Sequence, residues 1–471
     1  MSSKRKVSLN SLSEIVDLKT NTSLGFSCLR DNRFIKKLGE DYSSFSLSSC
    51  YSNELFVNFY IKKKEWETLV EKEDELIETD MAGMDGLIWN DIASKNKTKK
   101  IAFLSSFFMH FSLVVSAIAL MGFCVIKSLF SKKITLPLTK NIAFVRSRAT
   151  SSKINKVKDK FDFICISEGV TFRDESMLSL FNCIPFYFFV LKFPYLLLSS
   201  CKDLLLIRRE LSFFFKESSV DKVVKFYTQR VLLKSIYELM ICFVVKKQKK
   251  VNADLKIFTG NKEDRFAMVE QKIATETHCE LICIPHGLEY SFKFPTGIAG
   301  DTFYCTSYAS YILLNQIYDD KNFIFDADLN ESIYSSGEKG ISNKEKKIYF
   351  FTESRDINVN RNIISLLNKN GVEFKVKLHP ADSITNYSDL NIEVESDYNT
   401  SLTNSVCIAR KSTVLLEALY NNSTAIAFLI DSKDDYYATY VFPSLSDDQI
   451  KRAFTIEELL LHLKKGKNNY V

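Results

Sequence analysis

The sequence predicts an α/β protein made of two doubly wound, Rossmann-like domains with a cleft between them. Three observations carry this. From about residue 141 onward, short apolar runs alternate with helical stretches, the pattern of parallel strands joined by crossover helices. That series breaks at an acidic, Asn- and Ser-rich stretch between Tyr318 and Lys347 and then starts again. A chain of 471 residues also has room for two domains of ordinary size plus an appendage.

In chain order, residues 1–95 read as an N-terminal appendage. Its opening, MSSKRKVSLN, is polar with no apolar core behind it, so no signal peptide is expected. Residues 96–135 read as an apolar, membrane-associated segment. Within it, 101–126 carries no formal charge and lies between KNKTKK and KSLFSKK. About 20 apolar residues are enough to cross a bilayer. Serines and His110 interrupt this run, and cations on both sides remove any orientation signal. A span, an interfacial helix anchored by Lys99, Lys100, Lys132 and Lys133, and a buried core helix all fit; length and flanks favour the interfacial form. A second apolar stretch, 178–200, holds Pro185, Lys192 and Pro194 and makes a poor spanning helix.

Residues 141–317 form the first expected domain, with strands at IAFVRS (142–147), FDFICIS (161–167), LKIFTG (255–260), ELICIPHG (280–287) and DTFYCTS (301–307). Between two of these, NKEDRFAMVEQKIATETH should be a helix with Phe266, Val269 and Ile273 inward. Residues 318–346 read as a linker. The second domain, 347–471, should have strands at KIYFFTES (347–354), FKVKLHP (374–380), IEVES (392–396), SVCIAR (405–410) and TAIAFLI (424–430). Gly371 sits where a helix C-cap glycine belongs, and Thr455 with Glu458 suggests a capping box on the last helix.

Composition narrows the function. A net charge of +6 is mild for this length, and without a basic, aromatic-interleaved stripe no nucleic-acid partner is expected. The eleven cysteines are scattered through apolar runs with no CxxC, as for buried free thiols in a reducing compartment. Walker, GxGxxG and zinc-ligand spacings are absent from the sequence. An Asp-x-Asp in FIFDADL (323–329) could hold a metal against a diphosphate, but its place in the linker favours a solvated acidic loop for Asp326 and Asp328.

Chemistry concentrates at strand ends, where open α/β sheets bind ligands. Of only five histidines, His286 follows LICIP and precedes Gly287, and His379 follows FKVKL and precedes Pro380. A third strand ends at Arg410, and Lys411, Ser412 and Thr413 then lead into a helix. Hydroxyls, backbone amides and the two cations there could hold an anion, although Ser or Thr at that position also serves as a simple helix cap. Glu417, one turn in, could reach a ribose hydroxyl or lie on a solvated face.

Lys377-Leu378-His379-Pro380, followed about thirty residues later by Arg410-Lys411-Ser412-Thr413 and Glu417, resembles motifs of bacterial GT-B-fold transferases of capsule and lipopolysaccharide assembly. It is similar to the His-Pro and Ser-Ser/Thr motifs of sialyl- and polysialyltransferases, and to the K-x-H-P and Ser-rich motifs of CDP-glycerol glycerophosphotransferases. The upstream Pro285-His286-Gly287 resembles the His-Gly motif of the latter. The resemblance covers residues 250–445 and implies that Lys377, His379, Pro380 and Arg410 to Thr413 bind donor phosphates, with His286 as catalytic base. The acidic-Gly motif of sialyltransferases has one counterpart, Glu168-Gly169, which makes Glu168 the second candidate base.

The expected activity is inverting-type glycosyl transfer from a nucleotide-sugar donor to a glycan or lipid-linked acceptor at the inner face of the cell membrane. The nucleotide is a substrate, and no resident cofactor or metal is expected if hydrogen bonds and cations carry the leaving-group charge. A nucleotide-sugar 2-epimerase of GT-B-like fold and an inactive scaffold of polysaccharide assembly are the alternatives.

Overall fold

Runs such as Ile142–Val145 and Ile348–Phe351 are buried on both faces, which is what near-continuous apolar strands of a parallel sheet require. The structure, a computed structural model, describes residues 5–7, 50–61, 63, 77–79, 87–88, 91–92, 102–137, 139–213, 215–336, 346–354, 357–431, 434–435 and 437–468.

The first sheet comprises β1 (Asn141–Val145), β2 (Phe163–Ser167), β3 (Leu178–Ser179), β4 (Lys256–Thr259), β5 (Glu280–Cys283), β6 (Thr302–Tyr304) and β7 (Asn322–Ile324). All seven are parallel, in the order β3-β2-β1-β4-β5-β6-β7. The second comprises β8 (Ile348–Phe351), β9 (Lys375–Lys377), β10 (Val406–Ala409), β11 (Thr424–Phe428) and β12 (Lys451–Ala453), parallel in the order β9-β8-β10-β11-β12. Each sheet thus reverses its winding once, between β1 and β4 and between β8 and β10. The crevices at the carboxyl ends there are the ligand positions of doubly wound sheets. The mixed α/β, two-domain Rossmann-like expectation holds at this level.

Helices α1 (Ala102–Phe130), α2 (Arg148–Val157), α3 (Phe186–Ser212), α4 (Glu217–Lys249), α5 (Arg265–Glu276), α6 (Tyr308–Ile317) and α7 (Ala327–Tyr334) belong to the first sheet. The second carries α8 (Ile357–Lys369), α9 (Val414–Leu419) and α10 (Ile456–Asn468). Local signals act as expected at several ends. Gly371, at φ +65°, closes α8 with a Schellman pair, its amide to Asn368 and that of Val372 to Leu367. Asp264 caps α5, and Phe266, Val269 and Ile273 are buried beneath it. Before α10, Thr455 Oγ1 accepts from the Glu458 amide, while the Glu458 carboxylate reaches back to Phe454, one residue short of a full capping box.

Several expectations need correction. Residues 318–346 are not a plain linker: 322–324 is the edge strand of the first sheet, and α7 docks on α2 through Lys156 to the Ile333 carbonyl. Only 337–345 lies outside the described residues. Asp326, rather than standing in a solvated loop, caps α7 and pairs with Lys160 at 2.9 Å. Residues 392–396 make a single bridge, Val376 to Val394, instead of a strand. The N-terminal region is no mere appendage between 50 and 61. Tyr51, Leu55 and Phe59, one helical face, enter the main core, and Glu54 pairs with Arg265 at 2.7 Å.

A buried carboxyl under α5 yields a stability prediction. Burial pushes Glu270 up to about 7, while Tyr237 donates a hydrogen bond to one of its oxygens. A raised folded pKa means the native state holds the proton longer, so stability falls as pH rises from the unfolded value of 4.5 toward 7. Glu270→Gln, which mimics the neutral form, should match the parent near pH 5 and exceed it by roughly 2–3 kcal/mol near pH 8. Urea titrations at the two pH values check this, and equal midpoint differences at both would refute it.

Candidate functional site

The carboxyl ends of the two sheets face one another across a cavity of about 360 Å³. From the first domain it is lined by the loop after β4 (Gly260, Lys262, Glu263) and the loop after β5 (His286, Gly287, Leu288, Tyr290). From the second come Glu353 and Ser354 after β8, His379 after β9, and Lys411, Ser412 and Thr413 after β10, with Phe442. Five candidate residues drawn from a span of more than a hundred positions therefore line one cavity: His286, His379, Lys411, Ser412 and Thr413.

The two histidines carry different tautomers. Nδ1 of His286 lies 2.6 Å from the Gly260 carbonyl oxygen, which can only accept, so Nδ1 holds the proton and Nε2 keeps a lone pair. Burial pushes this imidazole below 6.5, and Lys262 and Lys153 act in the same direction. Nδ1 of His379 instead accepts from the Ala381 amide at 3.0 Å, which leaves Nε2–H as a donor. One wall thus offers a proton acceptor and the other a proton-bearing donor. The His379 backbone is fixed by Thr352 Oγ1 at 3.0 Å, and that of His286 by Lys153, whose Nζ donates to its carbonyl at 3.0 Å.

The Ser412–Thr413 turn differs from the expected strong helix start. α9 has six residues, so its dipole adds little, and Thr413 takes helical angles with no side-chain cap bond. Ser412 Oγ meets the Val414 amide only at 3.4 Å. The capping role is therefore weak, and among the described interactions the Thr413 hydroxyl has no partner.

The other candidates lie elsewhere. Arg410 is fully buried and forms a fork with Asp434, backed by Asn360 at 3.2 Å; it is a structural ion pair, since a side chain closed off from the cavity cannot meet a phosphate. Lys411 is shared between Glu353, at 3.1 Å, and Asp434. Lys377 bonds the Ser396 carbonyl and Pro380 sits in an exposed turn, both off the cavity lining. Glu417 neither faces solvent nor the cavity: it pairs across the domains with Lys153 at 3.0 Å and accepts from Tyr398 at 2.7 Å. Glu168 is buried, absent from the lining, and spends one oxygen on Thr171 and Phe172. That corrects it from candidate base to a residue shaping its own loop. Gly287 lines the cavity, has no positive φ, and a Cβ there would meet open space, so no turn requires a glycine at this position. Gly260 does need to be glycine, because a Cβ would stand 2.4 Å from Thr150.

Sequence reasoning missed Lys262, Glu263, Glu353 and Ser354. Lys262 and Glu263 follow the apolar run 255–260, a position the strand-end rule covers, whereas Glu353 and Ser354 fall inside the expected strand 347–354 and come to its end only because the strand stops at Phe351. Lys262 is buried, donates to the Leu288 carbonyl and stands 3.7 Å from Glu263. With Lys411 held by Glu353, the cations of the cavity are matched by carboxylates. Any anion there is met chiefly by hydrogen-bond donors and not by excess charge. Among the described residues no group of three His, Cys, Asp or Glu is placed to hold a metal ion.

No family profile matches the chain, and no curated protein is significantly similar to it.

Proposed function

We propose that the chain is a GT-B-type glycosyltransferase that moves a glycosyl group from a nucleotide-activated donor to a capsule, O-antigen or related surface glycan. The observation that carries the reading is the pairing, across one interdomain cavity, of an imidazole able to accept a proton with an imidazole and hydroxyls able to donate hydrogen bonds. His286 Nε2 takes the acceptor hydroxyl proton as that oxygen bonds to the anomeric carbon. The bond from that carbon to the phosphate oxygen breaks, and the nucleotide leaves with the electron pair. His379 Nε2–H, the Ser412 and Thr413 hydroxyls and the Lys411 ammonium stabilise the charge that develops on the phosphate. Glu353 and Ser354 lie where they can meet donor hydroxyls.

A thermal-shift screen with CMP-, CDP-, UDP- and GDP-linked donors tests the site first, and the stabilising donor is then titrated calorimetrically. His379→Ala, or the pair Ser412→Ala and Thr413→Ala, should weaken its binding by about 1–3 kcal/mol with the fold intact. Stabilisation by none of the donors, or unchanged affinity in both variants, would overturn the phosphate site. Conversion of the donor sugar without acceptor would make the enzyme an epimerase.

A further inference from the structure

Two long helices of the first domain leave one face uncovered. Of the 24 large apolar side chains exposed among the described residues, 15 lie on α1 and α3. Phe111, Ile118 and Phe130 project from α1, the last 83% exposed; Tyr187, Leu191 and Leu198 project from α3, the last two each 72% exposed. At about 100 Å² apiece the fifteen present on the order of 1,500 Å², beyond the few hundred that a soluble monomer ordinarily shows. The two helices pack along each other, so these side chains belong to one surface.

The charge on this face has one sign. α1 contains no acidic residue, and the two acids of α3, Asp203 and Glu210, point inward to Lys234 and Ser52. Lys192, Lys202 and Arg209 are exposed on α3, and Lys132 follows α1, whereas the ammonium of Lys133 turns inward to the Phe181 and Ile184 carbonyls. An apolar face rimmed only by cations matches the acyl boundary and anionic headgroups of a bilayer. It does not match a spanning arrangement. Leu113, Ala117, Met121 and Cys124 of α1 are buried in the domain core, in contact with α4, which carries Asp221, Arg230, Lys234 and Glu238 along its length.

We infer that α1 and α3 together form a monotopic docking face that lays the first domain on an anionic lipid bilayer. The face ends at the cleft side of the sheet, since Lys127 near the end of α1 donates to the Gly169 carbonyl just beyond β2. The inference concerns location and stands whether or not the cavity transfers sugar.

Flotation of the full chain with phosphatidylcholine vesicles, and with mixed phosphatidylcholine and phosphatidylglycerol vesicles, tests it. Binding should be confined largely to the mixed vesicles and weaken as salt rises. Ile118→Glu combined with Leu198→Glu should lower the bound fraction roughly tenfold with an unchanged melting temperature, because both positions are solvent-exposed. Lys192→Glu with Lys202→Glu, which leaves the apolar face intact, should lower binding to the mixed vesicles alone. Undiminished binding of both double variants, no vesicle binding by the parent, or a parent dimer split by the apolar variant in place of vesicle binding would each overturn the inference. So would retention in membranes after alkaline extraction, the mark of a span.

Discussion

His286→Ala is expected to depress turnover by roughly 10²–10⁴, the loss that follows removal of a general base, while donor affinity stays near that of the parent. The reason is positional. His286 belongs to the first domain, whereas His379, Ser412 and Thr413 all rise from the second. Its Nδ1–H is already committed to Gly260, so the one nitrogen free to act is an unprotonated Nε2. The same contacts set the pH dependence. Burial, with Lys262 and Lys153 behind it, disfavours the imidazolium, so the base form persists below the ordinary 6.5. The acid limb of kcat/KM should accordingly fall below pH 6.5, and His286→Ala should lose that limb. Single-turnover kinetics beside calorimetry separates the outcomes. Equal loss of affinity and rate would place His286 in the donor site, and full activity would end its role as base.

Asp434→Ala is expected to cost about 3–5 kcal/mol of stability, near the upper end for a single substitution, because it removes the carboxylate that forks a fully buried guanidinium. Arg410 is wholly enclosed, and Asp434 holds its Nε and one terminal nitrogen while also meeting Lys411. Without Asp434 the guanidinium loses the carboxylate on its Nε and Nη2, while Asn360 at 3.2 Å and Glu353 at 3.8 Å remain beside it. Burial alone would raise the Asp434 carboxyl, but Lys411 and Arg410 hold it below 3.8. A depressed folded pKa gives stability that is present above 3.8 and lost as pH falls through the folded value. The deficit of Asp434→Ala should therefore shrink in strong acid. Replacing both partners, Arg410→Met with Asp434→Leu, should recover most of the loss, since apolar side chains then stand in place of the buried ion pair. Urea unfolding of the three variants decides it: a deficit under about 1 kcal/mol for Asp434→Ala would mean that water reaches the pair.

Much of the chain declares itself through local pattern. Two-sided apolar runs such as FICIS and VCIA leave a parallel strand as the simplest way to bury both faces, and Asp264 and Gly371 mark helix ends by satisfying amides and carbonyls beside them. The three-residue strand 322–324 was illegible because it carries too little alternation, and its apolar centre Phe323 is buried only once β6 lies beside it. Pro194 marked 178–200 as a poor spanning helix, yet α3 runs through it, because Leu196, Leu204 and Ile207 are held in the core.

At the site, the strand-end rule needs only chain direction and apolar run length, so His286 and His379 could be picked out as single positions. Whether a side chain at such a position faces a ligand depends on what the rest of the fold sets opposite it. Arg410 and Lys411 are adjacent in sequence and alike in charge, yet Asp434, more than twenty residues on, encloses the first, while the second reaches the cavity wall. Glu417 meets its partner Lys153 only because the two domains close on one another. Periodicity and capping act over a few residues and are encoded there. Ion pairing, tautomer and desolvation depend on distances between elements remote in the chain, and those distances exist only once the domains have packed.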